Sequence, residues 1–205
     1  MKKSIIIATV ASVLLAVAGK AQTPASGKIA GHGYVDLGLS VKWATCNVGA
    51  SSPSDYGNYY AWGETTTKSE YTKENCKTWE KSIGNISGNS NYDAARANWG
   101  GSWRTPTNAE MEELIDKCTW TWTSQGGHNG YKVTSKTNGN SIFLPAAGSR
   151  LGSSFDDIGE IGNYWSSTFG RLGMQSAYCL EFDIDCYIMY DYVRSLGCSV
   201  RPVSD

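Results

Sequence analysis

The segment Tyr164–Val203, YWSSTFGRLGMQSAYCLEFDIDCYIMYDYVRSLGCSVRPV, decides how this chain is read. Two kinds of residue alternate in it. Tyr164, Trp165, Ser166 and Ser167, then Leu180 and Phe182, then Gly197, Ser199, Val200, Arg201 and Pro202 have the look of a rigid frame. Between them lies an acidic and aromatic insert that no simple folding rule requires. Period-two alternation over SAYCLEFDID predicts a strand. Tyr178, Leu180, Phe182 and Ile184 fall on one face, and Cys179, Glu181, Asp183 and Asp185 on the other. A stiff frame carrying such an insert points to a binding surface more than to a catalytic centre. GCSVRPV reads as a short closing strand stopped by Pro202.

Working back from this segment, YKVTSKTNGNSIFLP reads as a hairpin. Asn138-Gly139 is expected to supply the two positive-φ residues of a tight turn. In TPTNAEMEELIDKC, Thr107 and Glu110 form a capping box, each side chain satisfying a free N–H at the helix start. Met111, Leu114, Ile115 and Cys118 then form one buried stripe. Glu112 and Glu113 are adjacent, do not face one another, and read as a solvated helix face. NYDAARANWGG gives a second, shorter helix stopped by Gly100 and Gly101. Residues 64–90 are polar and read as a long surface excursion. PSDYGNYYAWGE is expected to open as a short helix. VKWATC alternates as an early strand, with Val41, Trp43 and Thr45 on one face. One early strand, two helices and then several short strands define an α+β domain.

The first residues have the form of a secretory signal. Lys2 and Lys3 precede an apolar run, Ile5–Ala18, that is short for a bilayer span. Small residues close it, with cleavage expected after Ala18 or Ala21. Residues 1–21 are therefore set aside as a signal peptide, residues 22–32 are expected to be a flexible lead-in, and 33–205 a single domain. No later segment is apolar enough for a transmembrane anchor. The net charge of −1 supplies no basic footprint for nucleic acid. Export permits disulfides, and the six cysteines allow fifteen pairings among which sequence cannot choose. Buried free thiols are the favoured reading for Cys46 and Cys118.

A search for chemistry finds little. His32 lies in the lead-in and His128 in a turn, so no nucleophile–base–orienter set emerges. A zinc site has almost no material. Asp183-x-Asp185 lacks the glycine and distal glutamate of a calcium loop. No cofactor or metal is implied, and no motif supports an enzyme.

DLGLSVKWATCNVGASSPSDYGNYYAWGE, ANWGGSWRTPTNAEMEELIDKCTWTW, NSIFLPAAGSR, GNYWSS and GCSVRPV together resemble the Fibrobacter succinogenes major paralogous domain, a family of secreted or surface proteins common in Bacteroidetes. The resemblance covers roughly residues 33–203. It implies a C-type lectin-like fold of the formylglycine-generating-enzyme variant, with two helices packed on short antiparallel sheets and many loops. It also implies that Val41–Val48 lies against Ser199–Val203. Trp43, Trp99, Trp103 and Trp165 would be core or loop anchors, and Arg104 and Arg201 would tie loops together. Packing under the hairpin is favoured for Trp120 and Trp122 over a sugar platform.

The resemblance carries three functional implications. The first is a secreted or cell-surface module binding a protein or glycan through the C-terminal face, about residues 168–198. Its candidate contacts are Arg171, Met174, Cys179, Glu181, Asp183, Asp185, Tyr187, Tyr190, Asp191, Tyr192 and Leu196. The second is diversification of that face by a retroelement that mutates template adenines; asparagine is absent after Asn163. Ordinary drift of an exposed surface is the competing explanation. The third is a formylglycine-generating-type oxidase, for which Cys186 and Cys198 are the nearby thiols but match no motif. A purely structural surface protein is a further alternative.

Overall fold

The structure, a computed structural model, describes residues 26–205; the expected signal peptide and residues 22–25 lie outside the described residues. Strands β1 (Ser26–Ile29), β2 (His32–Val35) and β3 (Lys42–Ala44) precede helices α1 (Ala94–Trp99) and α2 (Asn108–Lys117). Then follow β4 (Cys118–Gln125), β5 (His128–Ser135), β6 (Ser141–Pro145), β7 (Ser149–Leu151), β8 (Ser154–Asp156) and β9 (Gly162–Phe169). A 3-10 turn at Gly173–Gln175 leads to β10 (Ser176–Phe182), β11 (Tyr187–Val193) and β12 (Val203–Ser204). The strands form small sheets in the orders β1-β2-β3-β12, β11-β10-β9, β4-β5-β6 and β7-β8, every strand pair within them antiparallel. The architecture is α+β and rich in loops.

Both helices stand where their caps place them. The Thr107 side chain accepts from the Glu110 N–H, and the Glu110 carboxylate accepts from the Thr107 N–H at 2.7 Å. Asp93 caps α1 and also accepts from the Gly88 N–H and from Thr105, pinning two loops to the helix start through one buried carboxylate. Gly100 ends α1 at φ 67°, a conformation a side chain disfavours.

The β9–β10–β11 sheet separates two apolar cores. On one side Leu180, Phe182 and Tyr164 pack with Trp43, Met111, Leu114, Val133 and Leu144. On the other, Cys179, Ala177 and Trp165 pack with Tyr60, Trp62, Ala95, Cys198 and Val200. The Trp62 and Trp165 indole N–H groups donate to backbone carbonyls of Ser166 and Tyr60, at 2.9 and 2.7 Å.

Segment 199–204 joins the halves of the chain. Val203 pairs with Trp43, and the Val48 N–H donates to the Val200 carbonyl at 3.0 Å. Arg201 is fully buried and donates to Asn47 Oδ1 and to the carbonyls of Ala44, Thr45 and Phe143. This is the loop-tying role expected of it. Arg104 likewise pairs with Glu110 at 2.7 Å and Asp205 at 2.6 Å.

Several expectations are corrected. Residues 26–32 are not a loose lead-in: β1 and β2 form a hairpin, His32 stacks on Trp99 at 3.9 Å, and the Trp103 indole donates to the Ile29 carbonyl. Residues 64–90 form no helix or strand and are mostly exposed, but the excursion is pinned to the protein by the buried side chains of Tyr71, Cys76, Thr78 and Ile86. No helix opens at 53–64; Asp55 closes a turn by accepting from Ser51 and Ser52. The β5–β6 loop is wider than a two-residue turn: Ser135 N–H donates to Asn140, and only Gly139 of the Asn138-Gly139 pair has positive φ. The hairpin also gains β4 as a third strand. Trp120 and Trp122 pack on Tyr131 and Phe182 there. Cys46 is half-buried rather than buried, whereas Cys118 is buried and desolvation pushes its thiol up to about 11. The Glu113 carboxylate is not merely solvated: it accepts from the Ser40 N–H and hydroxyl.

Candidate functional site

The candidate site is the β10–β11 hairpin. Its register pairs Phe182 with Tyr187, Leu180 with Met189, Cys179 with Tyr190 and Ala177 with Tyr192. Directly opposed residues share a face, so the insert divides between two faces instead of gathering on one. Tyr187, Met189 and Asp191 lie on the face of Leu180 and Phe182. Ile188, Tyr190 and Tyr192 lie on the face of Cys179 and Glu181.

That division removes two residues from the candidate contacts. Cys179 is 0% exposed, inside the second core beside Cys198, in a cluster with Tyr60, Trp62, Ala95 and Val200 that closes the face alternation alone would leave wet. Leu196 is buried in the same cluster. Its loop is drawn inward by Arg150, which exchanges backbone hydrogen bonds with Gly197.

The remaining candidates differ in how firmly they are held. Tyr187 stacks on Trp120, ring centroids 4.7 Å apart. The Tyr192 hydroxyl donates to the Glu181 carboxylate across the strand pair, and burial followed by that carboxylate pushes its phenol upward. Tyr190 sits beside Tyr192 at 5.6 Å and is 56% exposed. Asp183 accepts from the N–H groups of Asp185 and Cys186, both at 2.8 Å, and these bonds hold its carboxyl below the usual range. Its carboxylate therefore serves the turn, whereas Asp185 is exposed. Asp191 accepts from the Arg171 N–H and sits 3.6 Å from its Nε, bracing the loop after β9. Met174 is exposed on the 3-10 turn beyond it.

Sequence reasoning passed over the aliphatic members of this surface. Ile184 and Ile188 are exposed at 62% and 51% at the turn end of the hairpin, and Phe169, Leu172 and Val193 are exposed towards its other end. Exposed apolar side chains gathered along one strand mark interaction sites. The available signal was the apolar residue recurring on both faces of YIMYDYV, which a half-solvated strand does not need. A smaller apolar patch, Leu151, Phe155 and Ile158, lies on and after β7–β8.

The remaining chemical candidates lie apart from the hairpin or apart from each other. His128 Nδ1 is 2.7 Å from the Ser54 carbonyl, and its ring stacks on Tyr56. Cys186 is exposed at the hairpin turn, while Cys198 is buried beside Cys179. All six cysteines are free thiols. Among the described residues no group of three or more His, Cys, Asp or Glu side chains is placed to hold a metal ion, and no helix is long and apolar enough to cross a membrane.

Comparison with known proteins finds no family model, no curated protein and no solved structure that matches the chain.

Proposed function

We propose that this protein is a secreted or cell-surface binding module that engages a macromolecular ligand through the β10–β11 hairpin. The observation that carries the proposal is the contrast within one sheet. β9 as far as Ser167 and most of β10 are buried, whereas β11 presents Ile188, Tyr190 and Val193 to solvent on an edge that no other strand among the described residues pairs with. Solvent-facing aliphatic side chains beside tyrosines, with a free row of backbone donors and acceptors, favour a protein partner over a glycan. The signal-like first residues supply the route to the surface. The resemblance to the Fibrobacter succinogenes major paralogous domain, and through it to C-type lectin-like proteins, supports the same reading, and the α+β architecture agrees with it. Fold alone does not give function.

The contact set is Ile184, Asp185, Tyr187, Ile188 and Tyr190; of the other expected contacts, Cys179 and Leu196 are buried, Asp183, Asp191, Glu181 and Tyr192 are engaged by the protein itself, and Arg171 and Met174 lie on the loop after β9. The test is a binding screen against surface proteins and glycans, followed by Ile188→Ala and Tyr190→Ala. Both variants should keep the melting temperature of the parent and lose at least about tenfold in affinity. Undiminished binding by both would place the site elsewhere. Diversification by a retroelement has a separate genomic test: a near-copy of the codons for 164–203 beside a reverse-transcriptase gene.

A further inference from the structure

Arg194 stands where β11 ends and the chain turns back into the protein. It is 2% exposed, yet no carboxylate among the described residues pairs with it. Its Nε donates to the Ser176 carbonyl at 3.0 Å, and Nη1 to the carbonyls of Thr78 and Lys81 at 3.2 and 2.8 Å. Its guanidinium lies over the Trp62 ring, 4.3 Å from the centroid. Every one of these partners is neutral. Nη2 has no acceptor among the described residues.

A guanidinium stays protonated in a protein, and burying it without a counter-charge is costly. Carbonyls and an indole face offset part of that cost and leave the net charge uncompensated. The other buried arginine, Arg201, uses all three of its nitrogens on protein acceptors. Arg194 does not, and it contributes to the wall of a cavity of about 540 Å³ between residues 82–84 and 168–174. The other walls are apolar at Ile83, Phe169, Met174 and Tyr178, while Gly84, Gly170 and Gly173 leave room. Ser82, Thr168 and Arg171 also line it; apolar walls with a few polar groups are the usual form of a small-molecule site, and the volume lies within the customary range. Arg171 at the rim is already held by Asp191, which leaves Arg194 as the inner cation.

We propose that this cavity binds an amphiphilic monocarboxylate, its carboxylate meeting Nη2 of Arg194 and its apolar body lying along Ile83, Phe169 and Met174. A charge-assisted hydrogen bond there gives the guanidinium the anionic partner that the described residues do not supply. The site is independent of the macromolecular surface on β11, because it needs none of Ile188, Tyr190 or Tyr187.

The probe is octanoate, with octanol as its neutral counterpart, titrated into the protein while the methyl resonances of Ile83 and Met174 are followed by NMR. Octanoate should give saturable shifts below millimolar concentration, and octanol should bind at least about tenfold more weakly. Met174→Glu, on an exposed turn, should keep the fold and weaken octanoate at least about tenfold by repulsion. Arg194→Gln should abolish the preference for octanoate over octanol; should it unfold, Met174→Glu carries the test. Equal binding of octanol, or no saturable shift at millimolar octanoate, overturns the proposal. Tyr190→Ala should leave the titration unchanged, so failure here and failure of the hairpin reading are separable.

Discussion

Strands β9 and β11 pair with the same central strand and meet opposite fates. GNYWSSTF is buried from Gly162 through Ser167, while YIMYDYV is exposed at four of its positions, Tyr187, Ile188, Tyr190 and Val193. Both are aromatic, and both have β10 on one edge. β9 is also closed on its other edge: Trp165 N–H donates to the Ser199 carbonyl, and Ser199 N–H to that of Asn163, each at 3.0 Å. Among the described residues β11 has no such neighbour. An aromatic residue here belongs to the fold or to the surface according to what covers its second edge and its outer face, not according to its type.

The strongest way to break this comparison is Trp165→Ala. It opens a cavity in the second core and removes the indole donor, at 2.7 Å, from the Tyr60 carbonyl, which keeps only the Cys198 N–H. We expect a loss of about 3–5 kcal/mol in urea denaturation. A loss under about 1 kcal/mol would mean that the second core is not a core in solution. Tyr187→Ala should fall between the extremes, at about 0.5–1.5 kcal/mol, because it removes one stacked ring from Trp120 but exposes little new surface. Asp183→Ala sharpens the contrast through pH. The native carboxyl titrates below its ordinary value of 3.8 because the Asp185 and Cys186 N–H groups hold it ionised. Its contribution is therefore fully present above the ordinary carboxylate range and lost as pH falls through the depressed value. The variant should melt lower than the parent at neutral pH, with the gap closing under acid. Tyr190→Ala should have the smallest effect on stability, within about 0.5 kcal/mol, while carrying the largest effect on ligand affinity.

The frame was readable because its signals are local. Thr107 and Glu110 announce a helix start three residues apart, and Gly100 ends a helix by its own geometry. Alternation in SAYCLEFDID assigns residues to faces but is silent on what covers each face. Cys179 looked solvent-facing for that reason: the cluster that encloses it draws Tyr60, Trp62, Ala94 and Ala95 from more than eighty positions away, besides Cys198 and Val200 from the far side of the insert. The β1–β2 hairpin was equally hidden. Its four-residue strands hold few apolar side chains, and they are fixed from outside by Trp99 and Trp103. TWTW reads as a shared face, yet only the partner strand β5 makes it part of a three-stranded sheet. Of the site, the first strand and the tyrosines were visible; the second strand, Tyr187–Val193, and with it the hairpin, were not. The split of those tyrosines between two faces depends on a register fixed by the turn that Asp183 closes.

Segment 199–204 has a consequence for how the protein is made. Trp43, Ala44, Thr45 and Asn47 find their partners in Arg201, Pro202 and Val203, some 155 residues later. The N-terminal sheet therefore lacks its closing strand, and the carbonyls around residue 45 lack their donor, until residue 203 has been synthesised. Pairings this distant are slow to form and give no reward before the loop closes. A nascent chain of this sequence should remain open along the ribosome or through a translocation channel, and acquire protease resistance in a single late step.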